Sequence, residues 1–149
     1  MGDVDANICD LAVFVYGTLK PGGRYHQRYC DRYLTKAHLA VVKGRLYDFP
    51  QWGYPAITPG HEWVKGCLLI FRQSPARCDD ILRQLDKLEG YVSDAIAKDN
   101  DYQRCWKQIF TPDYQPLQKA WVYQMSRDQV RQHSGVYLPE GNWPVDRDQ

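Results

Sequence analysis

The chain has 149 residues, 44% of them apolar and 25% charged, with 19 basic against 18 acidic side chains. That length suits one domain able to hide about 68–70% of its unfolded surface, and the composition excludes a disordered chain. A net charge of +1 gives no electrostatic footprint for nucleic acid or an anionic membrane.

In chain order, Leu11–Val15 reads as a buried strand, because a short apolar run bounded by turn residues carries that signal. It runs into the loop Tyr16-Gly17-Thr18-Leu19-Lys20-Pro21-Gly22-Gly23. Gly17 relieves backbone sterics where the strand stops. The N–H groups of Thr18 and Leu19 then have no evident ladder partner. Such groups need an acceptor, and at a turn they form a natural cradle for an anion or oxyanion. The alternative is an ordinary hairpin turn.

Arg24–Leu34 is polar and aromatic and fits a short helix. Ala37–Val42 and Gly44–Phe49 read as strands. Pro50–Pro59, with three prolines, reads as a loop with at most a short extended piece. Trp63–Phe71 is a strong strand. Ser74-Pro75 opens a helix, with Ser as N-cap and Pro at its first position. That helix runs to about Glu89, and Gly90 suits its C-terminal cap. Tyr91–Asp101 is a polar loop. Tyr102–Phe110 and Ala120–Met125 form an antiparallel pair joined by a proline-containing turn. The tail from Ser126 is irregular, with Tyr137, Pro139, Trp143 and Pro144 available to pack back on the body. Residues 1–149 thus read as a single domain whose peripheral termini are 1–10 and 126–149. Strands outnumber helices without regular alternation, which favours an α+β fold with a curved or closed sheet.

The helix after Ser74 carries one misplaced charge. At about 100° per residue, Cys78, Ile81, Leu82, Leu85 and Leu88 form an apolar stripe, and Asp79, Asp80, Arg83, Asp86 and Lys87 fall outside it. Glu89 falls inside the stripe, one turn beyond Leu85. Desolvation and the negative end of the helix dipole both disfavour a charged carboxylate there, raise its pKa and make it a better base near neutrality. A frayed last turn that lets Glu89 reach water is the other reading.

Other chemistries find little support. The five cysteines (9, 30, 67, 78 and 105) are odd in number and lack a Cys-x-x-Cys pair, which argues against a disulfide framework or zinc knuckle. His26 and Cys30 could share a helix face, but two ligands make a poor metal site. Metal: none is expected. Lys20-Pro21-Gly22-Gly23-Arg24 lacks the Gly-x-x-x-x-Gly-Lys-Ser/Thr pattern of a phosphate loop. The longest apolar run, Leu11–Tyr16, is far short of the about 20 residues that span a membrane, and the acidic first ten residues do not resemble a signal peptide. A cytoplasmic protein is expected, and oligomeric state leaves no signature in the sequence.

Tyr16-Gly17-Thr18-Leu19, Leu85-Asp86-Lys87-Leu88-Glu89-Gly90-Tyr91 and Tyr102-Gln103-Arg104, in this order and spacing, resemble the γ-glutamylcyclotransferase-like superfamily over roughly Ala12 to Val122. The resemblance implies a small, mixed β-barrel-like core with a few flanking helices. It implies an enzyme that cyclises the γ-glutamyl part of a small γ-glutamyl compound to 5-oxoproline and releases an amine, with no cofactor and no nucleophilic Ser or Cys. It places the catalytic carboxylate at Glu89 and substrate binding at Tyr16, Gly17, Thr18, Leu19 and Tyr102. Tyr102 and Arg104 match the last motif but read equally as a core aromatic and a strand ion pair. Lys20, Pro21, Arg24 and Tyr25 read as solvated loop residues, with a place along the pocket as the other option. A non-catalytic domain of the same fold, binding an amino-acid-like ligand, is the alternative function.

Overall fold

The computed structural model describes residues 7–90 and 102–144. The Tyr91–Asp101 loop lies outside the described residues. Among the described residues, six strands and three α-helices follow one another as β1 (Cys9–Val15), α1 (His26–Tyr29), β2 (Lys36–Phe49), β3 (Tyr54–Gln73), α2 (Pro75–Leu88), β4 (Gln103–Phe110), β5 (Pro116–Gln124), α3 (Arg127–Gln132) and β6 (Val136–Tyr137). A 3-10 turn over Asp31–Tyr33 follows α1. The predicted helix over Arg24–Leu34 is thus two short turns rather than one element.

The strands close on themselves. β1 pairs antiparallel with β3, β3 with β2, and β2 touches β4 at Val41 and Phe110. β4 pairs with β5, and a parallel bridge between Val13 and Trp121 returns from β5 to β1. The result is an uneven barrel-like ring in a mixed α+β fold, as the resemblance implies.

β1 is buried on both faces, which explains its unbroken apolar run. Ala12, Phe14 and Tyr16 point into one core cluster with Val42, Leu46, Ile57, Leu68 and Trp143. Leu11, Val13 and Val15 point into a second, beneath Cys78, Ile81 and Leu85 of α2. The α2 stripe therefore faces the core as its wheel predicts, and Leu85 is wholly buried. Asp86, outside the stripe, is nevertheless half-buried, its side chain only 19% exposed.

Four expectations are corrected. Ala37–Val42 and Gly44–Phe49 belong to one strand, irregular in register at Gly44/Arg45. The Pro50–Pro59 segment is strand from Tyr54 onward: Phe49 to Arg45 pair with Tyr54 to Thr58, then Gly44 pairs with Glu62. Residues 59–61 therefore bulge, and Pro59, which lacks the ladder donor, sits there at no cost in hydrogen bonds. The tail, expected to be irregular and peripheral, contains α3, opened by a capping box between Ser126 and Gln129. Beyond α3, Trp143 is 1% exposed within the barrel cluster and donates its indole N–H to the Asp48 carboxylate at 2.9 Å. At the other end, Cys9 and Asp10 of the expected N-terminal periphery already belong to β1.

Candidate functional site

A cavity of about 220 Å³ opens where β1 ends. Phe14 through Leu19 line it from β1 and the following loop, Arg24 and Tyr25 from the loop's far side, Trp52 from the turn before β3, and Tyr54 and Pro55 from the start of β3. Leu88 and Glu89 close it from the end of α2, Tyr102 from just before β4, and Tyr123 from β5. The structure thus brings Glu89, Tyr16, Gly17, Thr18, Leu19 and Tyr102 around one space.

The loop is fixed by contacts made away from the cavity. Tyr16 is buried, and its hydroxyl donates to the Tyr123 carbonyl and accepts from the Ile57 N–H at 3.2 Å. Burial first, and then the nearby Glu89 carboxylate, hold this phenol well above its ordinary pKa, so it stays neutral. Tyr16 therefore shapes the loop, with its hydroxyl committed to backbone. The Lys20 N–H donates to the Gly17 carbonyl at 3.0 Å and the Tyr25 N–H to that of Thr18 at 2.9 Å. Among the described residues, no backbone carbonyl accepts from the N–H of Thr18 or Leu19.

Gly17 plays a different part from the one its position suggests. It is not among the glycines of positive φ. A Cβ there would lie 2.7 Å from two ring carbons of Pro55. The requirement is close packing against a proline ring rather than backbone freedom. Lys20 also differs from expectation: it is buried, and its ammonium donates to the Trp143 carbonyl. His26 is buried too, with Nδ1 2.8 Å from the Leu19 carbonyl oxygen, to which it donates. Arg24 lines the cavity and gives one N–H to the Gly53 carbonyl at 3.0 Å.

Glu89 arrives by helix termination. It is the residue after α2, with φ −84° and ψ 0°, and Gly90 follows at φ 67°. The left-handed glycine ends the helix on the turn that carries Glu89 over the cavity. The Glu89 side chain is half-buried. Its charge acts on both the Tyr16 and the Tyr123 phenol. Among the described lining residues Glu89 is the one carboxylate and Arg24 the one guanidinium, and there is neither Ser nor Cys. In such a space a carboxylate can take a proton and backbone N–H groups can stabilise a developing negative oxygen, with no covalent intermediate needed.

Tyr102 is 4% exposed and donates its hydroxyl to the Pro55 carbonyl at 2.6 Å. Its ring lies 6.2 Å from that of Tyr54, which stacks on Trp52 at 5.4 Å. These three make an aromatic wall. Trp52 and Tyr54 lie hidden in the segment that reads as loop. Arg104 makes an ion pair with Asp86 at 2.6 Å. Asp86 and Tyr123 also carry no site signal in the sequence, although Asp86 sits within the Leu85–Tyr91 motif.

Residues 13–145 match the family described as gamma-glutamyl cyclotransferase, AIG2-like, and the chain belongs to it. No curated protein matches the chain. Among solved structures, an AIG2-like protein from mouse is similar with a TM-score of 0.59 at 21% identity, over 91% of this chain and 88% of that one. A protein from Arabidopsis thaliana is similar with a TM-score of 0.58 at 24% identity, over 78% of this chain and 68% of that one. YkqA from Bacillus subtilis gives 0.58 at 18% identity over 91% of this chain, which spans only 40% of YkqA. These likenesses establish the fold. Among the described residues no helix is long and apolar enough to cross a membrane, and no group of three or more His, Cys, Asp or Glu side chains could hold a metal ion.

Proposed function

We propose that this chain is a γ-glutamylcyclotransferase acting on a small γ-glutamyl compound, with Glu89 as general base. The observation that supports this most is the single cavity shared by Glu89 and the loop Gly17-Thr18-Leu19. Two features about 70 residues apart in sequence face one volume, and together they supply the two things the reaction needs.

The substrate's α-amine is an ammonium near neutrality and cannot attack until a proton leaves. Glu89 accepts it. The amine then attacks the γ-carbonyl carbon of the same molecule, forming the ring C–N bond, and the intramolecular geometry supplies much of the acceleration. Negative charge develops on the γ-oxygen, where the Thr18 and Leu19 N–H groups would receive it. The bond from the γ-carbon to the departing nitrogen breaks. Overall, two protons pass from the attacking nitrogen to the departing one by way of Glu89. The products are 5-oxoproline and an ammonium. Tyr102 and its aromatic neighbours would confine the glutamyl chain in its curled form.

The test is Glu89→Gln with a panel of γ-glutamyl compounds and an assay of 5-oxoproline. The amide keeps the shape but cannot take the proton, so release should fall by about 10²–10⁴-fold. The variant should stay folded by circular dichroism. Turnover equal to the parent's would remove Glu89 from the chemistry. A parent that binds one such compound tightly and turns over none would make the chain a binding domain.

A further inference from the structure

Asp86 lies one turn before Glu89 on α2, at a position whose place on the wheel predicts water. Instead it accepts two hydrogen bonds from the sheet. One carboxylate oxygen takes the Tyr123 hydroxyl at 2.6 Å and the other takes an Arg104 N–H at 2.6 Å. Arg104 and Tyr123 are direct partners across the β4–β5 ladder, so the two donors come from one rung. Both members of the ion pair are under 20% exposed, at 17% and 19%. The guanidinium carbon also lies 4.5 Å from the centre of the Trp121 ring, a cation–π contact.

Residues three apart on a helix are surface neighbours. Whatever fixes Asp86 therefore fixes the turn that delivers Glu89. Tyr123 lines the cavity, and its hydroxyl, turned to Asp86, is held as a donor to that carboxylate. Its phenol is raised by burial first, then by the hydrogen bond and charge of Asp86, then by Glu89, and lowered by Arg104. Those three charges thus surround a single ring.

We infer that Asp86, clamped by Arg104 and Tyr123, is the positioning residue that sets both the place and the electrostatic surroundings of Glu89. The inference rests on Glu89 being the base of the proposed reaction. Arg104 cancels the charge that Asp86 would otherwise direct at Glu89. The two residues therefore act on Glu89 with opposite sign, which a merely structural tie would not do. Among the described residues, the other ionisable groups that line the cavity with Glu89 are the phenols of Tyr16, Tyr25, Tyr54 and Tyr102 and the Arg24 guanidinium, and Lys87 lies in the last turn of α2.

The experiment compares Asp86→Asn, Arg104→Gln and the double variant with the parent. Asp86→Asn keeps the side-chain shape and leaves the Arg104 charge uncompensated, so Glu89 should ionise at lower pH. Arg104→Gln leaves the Asp86 carboxylate uncompensated, so Glu89 should ionise at higher pH. The double variant should return towards the parent. The primary readout is the carboxyl titration of Glu89 by NMR on protein labelled with 13C-glutamate, its resonance assigned with Glu89→Gln. Opposite shifts of roughly a few tenths of a pH unit or more are expected.

The second readout is the acid limb of the kcat/KM profile. It should move in the same two directions, while kcat in both single variants falls about ten- to a hundredfold and KM changes little. Shifts of the same sign, or none, in folded variants would overturn the inference. Should the parent release no 5-oxoproline at all, the proposed function fails, and the NMR titration still decides the electrostatic coupling.

Discussion

Two regions meet at the cavity, and they are held in place by different physics. The loop from Tyr16 to Tyr25 is held by shape and by bonds to backbone. Gly17 lies under the Pro55 ring, and a Cβ on Gly23 would meet the Thr18 carbonyl oxygen at 2.5 Å. The Tyr16 and Lys20 side chains reach across the molecule to backbone carbonyls of Tyr123 and Trp143. The last turn of α2 is held by side-chain charge, through Asp86 to Arg104 and Tyr123. The loop is thus fixed largely by shape and by bonds to backbone, whereas the surroundings of the Glu89 carboxylate include the Asp86–Arg104 ion pair. In the proposed function Glu89 would be a base, which must remain tunable, whereas the loop amides would have only to keep their geometry.

The largest effect on stability should come from the shape-held side. Gly17→Val forces new carbons into the Pro55 ring, and overpacking of this kind costs about 1–3 kcal/mol. A denaturant titration should place the loss near the upper end, because proline cannot rotate away. An unchanged midpoint would show that Pro55 yields and that the loop is looser than its contacts imply. Under the proposed function, the glycine would then matter for folding as well as for ligand binding.

Lys20→Met comes next. It leaves the Trp143 carbonyl without its ammonium donor, at about 1–3 kcal/mol for a buried acceptor left unmade. The emission of the buried Trp143 should change with it. A variant as stable as the parent would place Lys20 in water, as its sequence context suggests.

The smallest effect is on pH dependence. Burial pushes the Cys30 thiol up to about 12, with the nearby Asp31 adding to it, and burial pushes Cys78 up to about 11. A group whose folded pKa is raised stabilises fully below its unfolded pKa and loses that contribution as pH rises towards the folded value. The window here runs from about 9, the ordinary value, up to about 12. Stability should therefore decline across that alkaline range, and Cys30→Ala should flatten the decline while lowering stability at neutral pH. An identical slope in the variant would assign the alkaline loss to other groups. Cys30 should also resist thiol reagents near neutral pH until the chain unfolds.

Much of this was legible in the sequence because it depends on local pattern. The β1 run, the Ser74-Pro75 helix start, the α2 stripe and the Gly90 stop are all set by neighbouring residues, so periodicity and capping disclose them. Glu89 stands out for the same reason: a wheel alone shows a carboxylate on an apolar face. Proline count misleads at 50–59, since it cannot tell a loop from a strand whose prolines occupy a bulge and a rung that needs no donor. The α3 capping box is present in Ser126 and Gln129 but has too short a helix behind it to show periodicity.

What only the tertiary structure decided is which side chains meet. Asp86 reads as solvent-facing until β4 and β5 bring Arg104 and Tyr123 beside it. Lys20 reads as a loop cation until Trp143, 123 residues away, offers its carbonyl. Gly17 reads as a relief of backbone sterics until Pro55 arrives. Each is a long-range contact, fixed by how the ring of strands closes, and closure leaves no periodic trace in any one segment.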